Sequence, residues 1–258
     1  MAAESLNVGY ETNRGWQSSY GCYKLVGMSQ DADSLTHDIR VTRIGEDGLL
    51  FLFTPAEAQR VALPIQRKLW QLAYWLEPQR ESLGLIEIVP GMGNLLLRAS
   101  RKTLLNTLRD LVVTHWPQLS DEDVQGRRIE IPVSYGGAHG PDLEAAAAHC
   151  GISPERLVAL HSAAIYRVYC LGFQPGFAYL GGLDPALEVP RLATPRLSVP
   201  AGSVAIAGSQ TAVYPSSSPG GWHIIGHTET RLFDPNSELA ALLRPGDSVR
   251  FVAQEESK

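Results

Sequence analysis

The sequence is poor in several features that would assign it at once. It has three cysteines, Cys22, Cys150 and Cys170. They are far apart, odd in number and form no CxxC pair, which excludes a disulfide framework and suits a reducing cytoplasm. No apolar run approaches the ~20 residues of a membrane-spanning helix. The N-terminus lacks the charged and apolar stretches of a secretory signal. Net charge is −5, from 22 Lys+Arg against 27 Asp+Glu, and the basic residues form no stripe suited to nucleic acid or an acidic membrane. The motifs GxxxxGK(S/T), GxSxG and SxxK are missing, and no Gly-Gly pair sits between strand and helix in a GxGxxG pattern. A chain without a complete catalytic set reads as a subunit or binding module rather than a self-sufficient enzyme.

What is present is a normal globular composition: 258 residues, 44% hydrophobic and 19% charged. That is room for one large domain or two of ordinary size. Residues 1–36 show no sustained period of 2 or 3.6 and read as a disordered extension, compatible with initiation at Met28. Regular pattern begins at "DIRVTRIGEDGLLFLF", two apolar runs around a Gly-Glu-Asp-Gly turn. Helical spacing follows at Val61, Ile65, Leu69, Leu72 and Leu76, with Pro64 either a kink or the first turn of a helix. "LGLIEIVPGMGNLLLRAS" is strand, turn, strand, and "RKTLLNTLRDLVVTHW" is an amphipathic helix ending before Pro117. The ββαββα order predicts an α+β domain over 37–122, with helices on one sheet face. The polar stretch at 120–128 marks a boundary. Beyond it, over 123–258, come the strand "IEIPVSY", a short helix closed by Gly151, and a second helix with Ser153 as N-cap and Pro154 in its first turn. Short strands are then expected at "IYRVYCLGF", "GSVAIAG", "TAVYP", "WHIIGHT", "TRLFD" and "SVRFV", with one helix at "SELAALL". That texture predicts a mainly-β barrel or sandwich.

Glycine and proline concentrate between residues 171 and 221, and aromatic rings lie among them. "LGFQPGFAYLGGL" (171–183) is too rich in glycine for a core strand and too aromatic for a surface loop. It reads as a barrel strand running through Phe173 into a stiff Pro175-Gly176 turn that sets Phe177 and Tyr179 at a pocket edge. Pro200, Gly202, Gly208, Gly220 and Gly221 punctuate the neighbouring segments, where glycine allows positive φ and close backbone approach. Tyr214 and Trp222 are either amphipathic pocket walls or barrel core. Arg196, in a stiff Thr-Pro-Arg context, is either a bidentate anchor for carboxylate or phosphate or one half of a salt bridge. Gln210 can hold an amide or carboxyl group, or satisfy a turn. His161 falls at the C-terminal end of the Ser153-capped helix. Protonated, it would suit the helix dipole; otherwise it is a donor or general acid/base. His223 and His227 have HxxxH spacing, but nothing completes a zinc set and no metal is expected.

Three stretches together resemble a known family: "HSAAIYRVYCLGFQPGFAYLGGL", "RLATPRLSVPAGSVAIAGSQTAVYPSSSPGGWHIIGHT" and "LLRPGDSVRF". The resemblance is to the B-type subunit of 5-oxoprolinase, also called allophanate hydrolase subunit 1, a family that includes the sporulation-kinase inhibitor of bacilli. It covers residues 38–253 and is most specific over 129–252. It implies an α+β N-terminal domain followed by a cyclophilin-like β-barrel. It also implies a cytoplasmic, non-autonomous subunit of an ATP-dependent complex that opens 5-oxoproline (pyroglutamate) to glutamate. The implied partners are the C-type subunit of 5-oxoprolinase, related to allophanate hydrolase subunit 2, and the A-type subunit. On this expectation Arg196, Gln210 and His161 take catalytic roles, while Phe173, Pro175, Gly176, Phe177, Tyr179, Pro200, Gly202, Gly208, Tyr214, Gly220, Gly221 and Trp222 border the substrate. The resemblance leaves two alternatives: a protein-binding inhibitor of a sensor histidine kinase, and a subunit of a urea carboxylase or allophanate hydrolase system. A prolyl isomerase, suggested by the barrel alone, lacks that family's Phe-His-Arg signature.

Overall fold

The computed structural model describes residues 34–36, 39–53, 61–123, 126–237 and 239–254. The expected extension and the Met28 start fall outside these residues, except that Ser34–Thr36 form a strand, β1. It pairs with Ile39–Ile44 (β2), which turns through Gly45 at φ +61° into Gly48–Leu52 (β3).

The first helix is Leu63–Leu76 (α1), with Pro64 in its first turn, so proline starts this helix rather than kinking a longer one. Residues 54–60, also read as helical, lie outside the described set. Leu85–Pro90 (β4), Asn94–Ala99 (β5) and Leu105–His115 (α2) complete the unit. All pairings are antiparallel, in the order β1-β2-β3-β5-β4. Leu69, Leu72 and Leu76 of α1 and Leu108 and Val112 of α2 are buried at helical spacing. They pack on Ile39, Phe51, Leu95 and Leu97 from the strands. Period 3.6 against period 2 is what lets one helix stripe cover one sheet face.

The second unit starts with Arg128–Tyr135 (β6) and continues through Leu143–His149 (α3) and Pro154–Ala163 (α4). Gly151 adopts φ +68° after α3, and the Ser153 hydroxyl accepts from Arg156 N at 3.2 Å. These are the stop and start signals expected from the sequence. The strands are Tyr166–Leu171 (β7), Ala178–Gly181 (β8), Arg196–Val199 (β9), Ser203–Ala207 (β10), Gln210–Val213 (β11), Ser218–Gly220 (β12), His223–His227 (β13) and Ser248–Ala253 (β14). Six of them close a barrel with β6 in the order β10-β11-β8-β7-β14-β6-β13, while β9 and β12 form a two-stranded ribbon beside it. The expected α+β unit followed by a barrel is therefore the architecture.

Two expected elements are absent. "TRLFD" contributes only a bridge from Phe233 to Ala241, and no helix forms over 239–243 of "SELAALL". The backbone there is already committed: Asp234 N donates to Ala240 O at 2.7 Å and Leu242 N to Leu232 O at 2.9 Å. Cross-chain bonds of this kind remove the groups a helical turn would need.

Alternate residues on each strand face the barrel interior, including Val133 (β6), Val168 (β7), Leu180 (β8), Ile206 (β10), Val213 (β11), Ile225 (β13) and Phe251 (β14). The two units are joined through a β-bulge. The β7–β8 register slips between Val168 and Cys170, leaving the Tyr169 carbonyl outside the ladder. It accepts from Trp70 Nε1 at 2.9 Å and Gln66 Nε2 at 3.1 Å, both from α1. The Tyr169 ring packs in the first unit's core. Gly181 lies beneath it, where a Cβ would collide with the ring.

Candidate functional site

The stretch 171–183 is a hairpin, not one strand ending in a turn. β7 stops at Leu171 and β8 starts at Ala178. Between them Gly172 N donates to Phe177 O and Phe177 N to Gln174 O. Gly176 sits at φ +82°, and a Cβ there would meet Phe233 Cβ at 2.7 Å. Phe173 adopts φ +67°, a left-handed conformation costly for a bulky residue. No other non-glycine residue among those described has positive φ. The Gln174 side chain braces this turn, donating to Ser216 O and accepting from Ser216 Oγ at 2.9 Å.

Strand alternation settles where the aromatic rings lie. Ala178 and Leu180 face the barrel interior, so Phe177 and Tyr179 face outward. The same holds for Tyr214 beyond β11 and for Trp222 and Ile224 at β13, which with Val199, Ala205 and Ala212 form a separate apolar cluster. These residues come from the contiguous barrel strands β8, β11, β10 and β13 and from the β9–β12 ribbon. They form an outer layer between barrel and ribbon, neither barrel core nor a cavity inside it. Phe177 is the hub, edge-on to Phe173 (5.3 Å), Tyr179 (5.0 Å), Tyr214 (5.3 Å) and Trp222 (5.9 Å). Phe177 and Tyr214 are each 2% exposed, whereas Phe173 is 48% exposed. The layer is thus solid at its centre and opens to solvent along the Phe173 side.

Arg196 stands on β9 opposite Gly220 of β12. Its Nη2 lies 2.6 Å from Asp142 Oδ1, and the other oxygen of Asp142 accepts from Ile224 N at 2.7 Å. Arg196 Nη1 is buried without a hydrogen-bond partner. Gly220 is pressed against the Tyr214 hydroxyl, leaving no room for a Cβ. Burial raises the Tyr214 phenol's pKa, and Arg191, a bond from the Trp222 backbone and Arg196 pull the other way. Gly221 lies under Pro195, open enough that a Cβ would make ordinary contact at 3.6 Å.

The other sequence candidates lie elsewhere. Gln210 is buried at the seam between the units, its Nε2 3.4 Å from Met92 Sδ. Gly202, at φ +81°, makes room for Thr228 O and the His227 ring, and it ties Pro200 and the β10 start to Tyr214 O. Gly208 turns the β10–β11 hairpin at φ +54°. His223 Nε2 pairs with Pro190 O and His227 Nε2 with Ala201 O. Among the described residues no group of three or more His, Cys, Asp or Glu is placed to hold a metal ion.

The helix-dipole reading of His161 is corrected by its surroundings. The side chain is 0% exposed inside the barrel and stacks on Phe251 at 4.7 Å. Its Nε2 is 2.9 Å from Thr211 Oγ1 and its Nδ1 2.7 Å from the Tyr135 hydroxyl. Thr211 gives its only proton to Ala205 O, so it accepts from His161 Nε2–H, and Tyr135 donates to Nδ1. Desolvation pushes the imidazole down to about 3. It is neutral at ordinary pH and lies apart from the outer layer.

Sequence reasoning missed Asp142. Asp142 precedes an alanine-rich helix, where aspartate reads as an N-cap. It makes no side-chain capping bond, and its carboxylate serves Arg196 and Ile224 instead.

Residues 39–243 match the carboxyltransferase domain, subdomain C and D family. The B-type subunit of 5-oxoprolinase from Escherichia coli O157:H7 is 48% identical over 215 residues, covering 83% of this chain and 95% of that protein. The chain belongs to the family of 5-oxoprolinase B-type subunits. Within solved structures, TTHA0988 is 39% identical with a TM-score of 0.67; the match covers 81% of this chain and 40% of that one, so a member of this family spans less than half of TTHA0988. The K. lactis urea amidolyase aligns over 84% of this chain and 15% of its own with a TM-score of 0.69 and 18% identity, a likeness of fold alone. No helix among the described residues is long and apolar enough to cross a membrane.

Proposed function

We propose that this chain works within an ATP-dependent 5-oxoprolinase complex and that its outer aromatic layer, with Arg196, forms a substrate or intermediate pocket completed by a partner subunit. The observation that carries the reading is 48% identity over 95% of a protein named as the B-type subunit of 5-oxoprolinase. The chemistry of the layer agrees. Amide resonance makes a lactam carbonyl a poor electrophile. Ring opening needs activation by ATP and prearranged donors for the negative charge that develops on the carbonyl oxygen. Backbone N–H groups of the glycine turns and the Tyr214 hydroxyl are such donors beside an apolar wall of rings, and Arg196 is the cationic anchor for the substrate. The local donor set does not suit a triphosphate: Asp142 already neutralises one of the two guanidinium groups, and no glycine-rich turn leads into a helix there. This reading assigns no ATP to the aromatic layer and takes the A-type and C-type subunits as the source of the remaining machinery.

The test is co-expression with the two partner subunits and assay of 5-oxoproline-dependent ADP release. Activity should require all three proteins. Arg196→Ala should lower kcat/KM by roughly 100-fold, the scale of a lost charge-assisted contact, with the complex still assembled. Tight binding to a sensor histidine kinase without ADP release would replace this reading with the regulatory one.

A further inference from the structure

The Asp142–Arg196 pair is more elaborate than a surface ion pair needs to be. Asp142 is fixed before its side chain acts: its N–H donates to Ile224 O at 2.9 Å and its carbonyl accepts from Ala146 N at 2.8 Å. The carboxylate then uses one oxygen on Ile224 N and the other on Arg196 Nη2. Both ends of the aspartate are thus committed, and the guanidinium is docked by one edge to a rigid strand. The Nη1 group that remains is buried and unpartnered. A buried cationic donor without an acceptor costs free energy in the ligand-free chain, and an arriving acceptor removes that cost.

The surroundings say what the acceptor should be. Arg191 and Arg196 both act on the Tyr214 phenol, and Gly220, opposite Arg196 on the ribbon, lies against the phenol oxygen. Arg196 is paired with Asp142 through Nη2 alone, which leaves Nη1 as a cationic donor beside an aromatic wall. A small carboxylate with an apolar body matches both parts: the guanidinium takes the carboxylate and the rings take the body.

We propose that Asp142 is a positioning residue that holds Arg196 so that Nη1 receives the carboxylate of 5-oxoproline at the edge of the aromatic layer. This rests on the proposed function and adds the polarity of binding: carboxylate toward Arg196, lactam along the rings.

The experiment uses the co-expressed complex. Asp142→Asn keeps an acceptor for Ile224 N but removes the charge that docks Arg196. It should raise KM for 5-oxoproline about tenfold or more while kcat stays within about threefold, the signature of lost ground-state binding. Arg196→Lys, which keeps a charge beside Asp142 but has no Nη1, serves if the asparagine variant folds poorly, and should show the same split. The double variant should be no worse than the weaker single one, since both remove the same contact. An unchanged KM in either variant, or strictly additive effects, overturns the positioning role. Absence of 5-oxoproline-dependent ADP release from the wild-type complex overturns the functional reading itself, a distinct result.

Discussion

His161→Gln should flatten the acid limb of the protein's stability curve. The imidazole sits inside the barrel at a pKa of about 3 against an ordinary 6.5. Above pH 6.5 it is neutral in folded and unfolded chains alike, and its contribution to stability is fully present. Below that, the unfolded chain binds a proton that the folded chain refuses, so stability falls as pH drops toward 3. Each pH unit across the window costs about 1.4 kcal/mol, so roughly 3 kcal/mol is lost between pH 7.5 and 4.5 from this one group. Glutamine can still donate to Thr211 and accept from Tyr135, but it does not titrate. Urea unfolding of both proteins across that range isolates the histidine, because every carboxylate is common to the two. The wild type should lose about 3 kcal/mol more than the variant. Parallel curves would refute the burial argument and return His161 to the accessible bases.

Two further perturbations test the architecture. Gln66→Leu removes donors to Gly91 O and Tyr169 O and the acceptor for Gly93 N; urea denaturation should show a loss of about 2–3 kcal/mol, and a loss under about 1 kcal/mol would mean the seam between the units does not depend on it. Phe173→Gly should be more stable than Phe173→Val by about 2 kcal/mol, since glycine accepts the φ of +67° that a β-branched residue resists; equal melting temperatures would mean the turn relaxes to another conformation.

What the sequence made legible was local punctuation and period. Ser153, Pro154 and Gly151 act on the backbone within a few residues of themselves, so their effects could be read without knowing the fold. The same is true of the leucine spacing in α1 and α2. The segment at 239–243 escaped because its apolar residues suit a helix, while the bonds that forbid one come from Leu232 and Asp234 across the loop. The rings of 171–222 were recognisable as a group, and the resemblance placed them in a barrel. Their face was not readable, because it depends on which neighbours of Ala178 and Val213 point inward once the register is set. Gln210 and His161 were chosen for their chemistry, but burial decides what each can meet, and burial is a property of the closed barrel. Asp142 was hidden by its capping position, where an aspartate has a sufficient local explanation.

The barrel is closed by strands from its two extremes. β14 runs parallel to β6 from Ser248↔Arg128 to Ala253↔Val133, and Arg127 N donates to Asp247 Oδ1 from 120 positions away. During synthesis β6 leaves the ribosome first and waits, with an unpaired edge, until Ser248–Ala253 have emerged. The α+β unit needs nothing beyond α2 to complete its sheet and can form while the rest is still being made. Maturation of the aromatic layer and of Arg196's surroundings is thereby tied to the last stretch of barrel sequence. A premature stop before residue 248 would leave a folded first unit carrying an open sheet with two sticky edges, a species destined for aggregation or degradation rather than a weakened component of the complex.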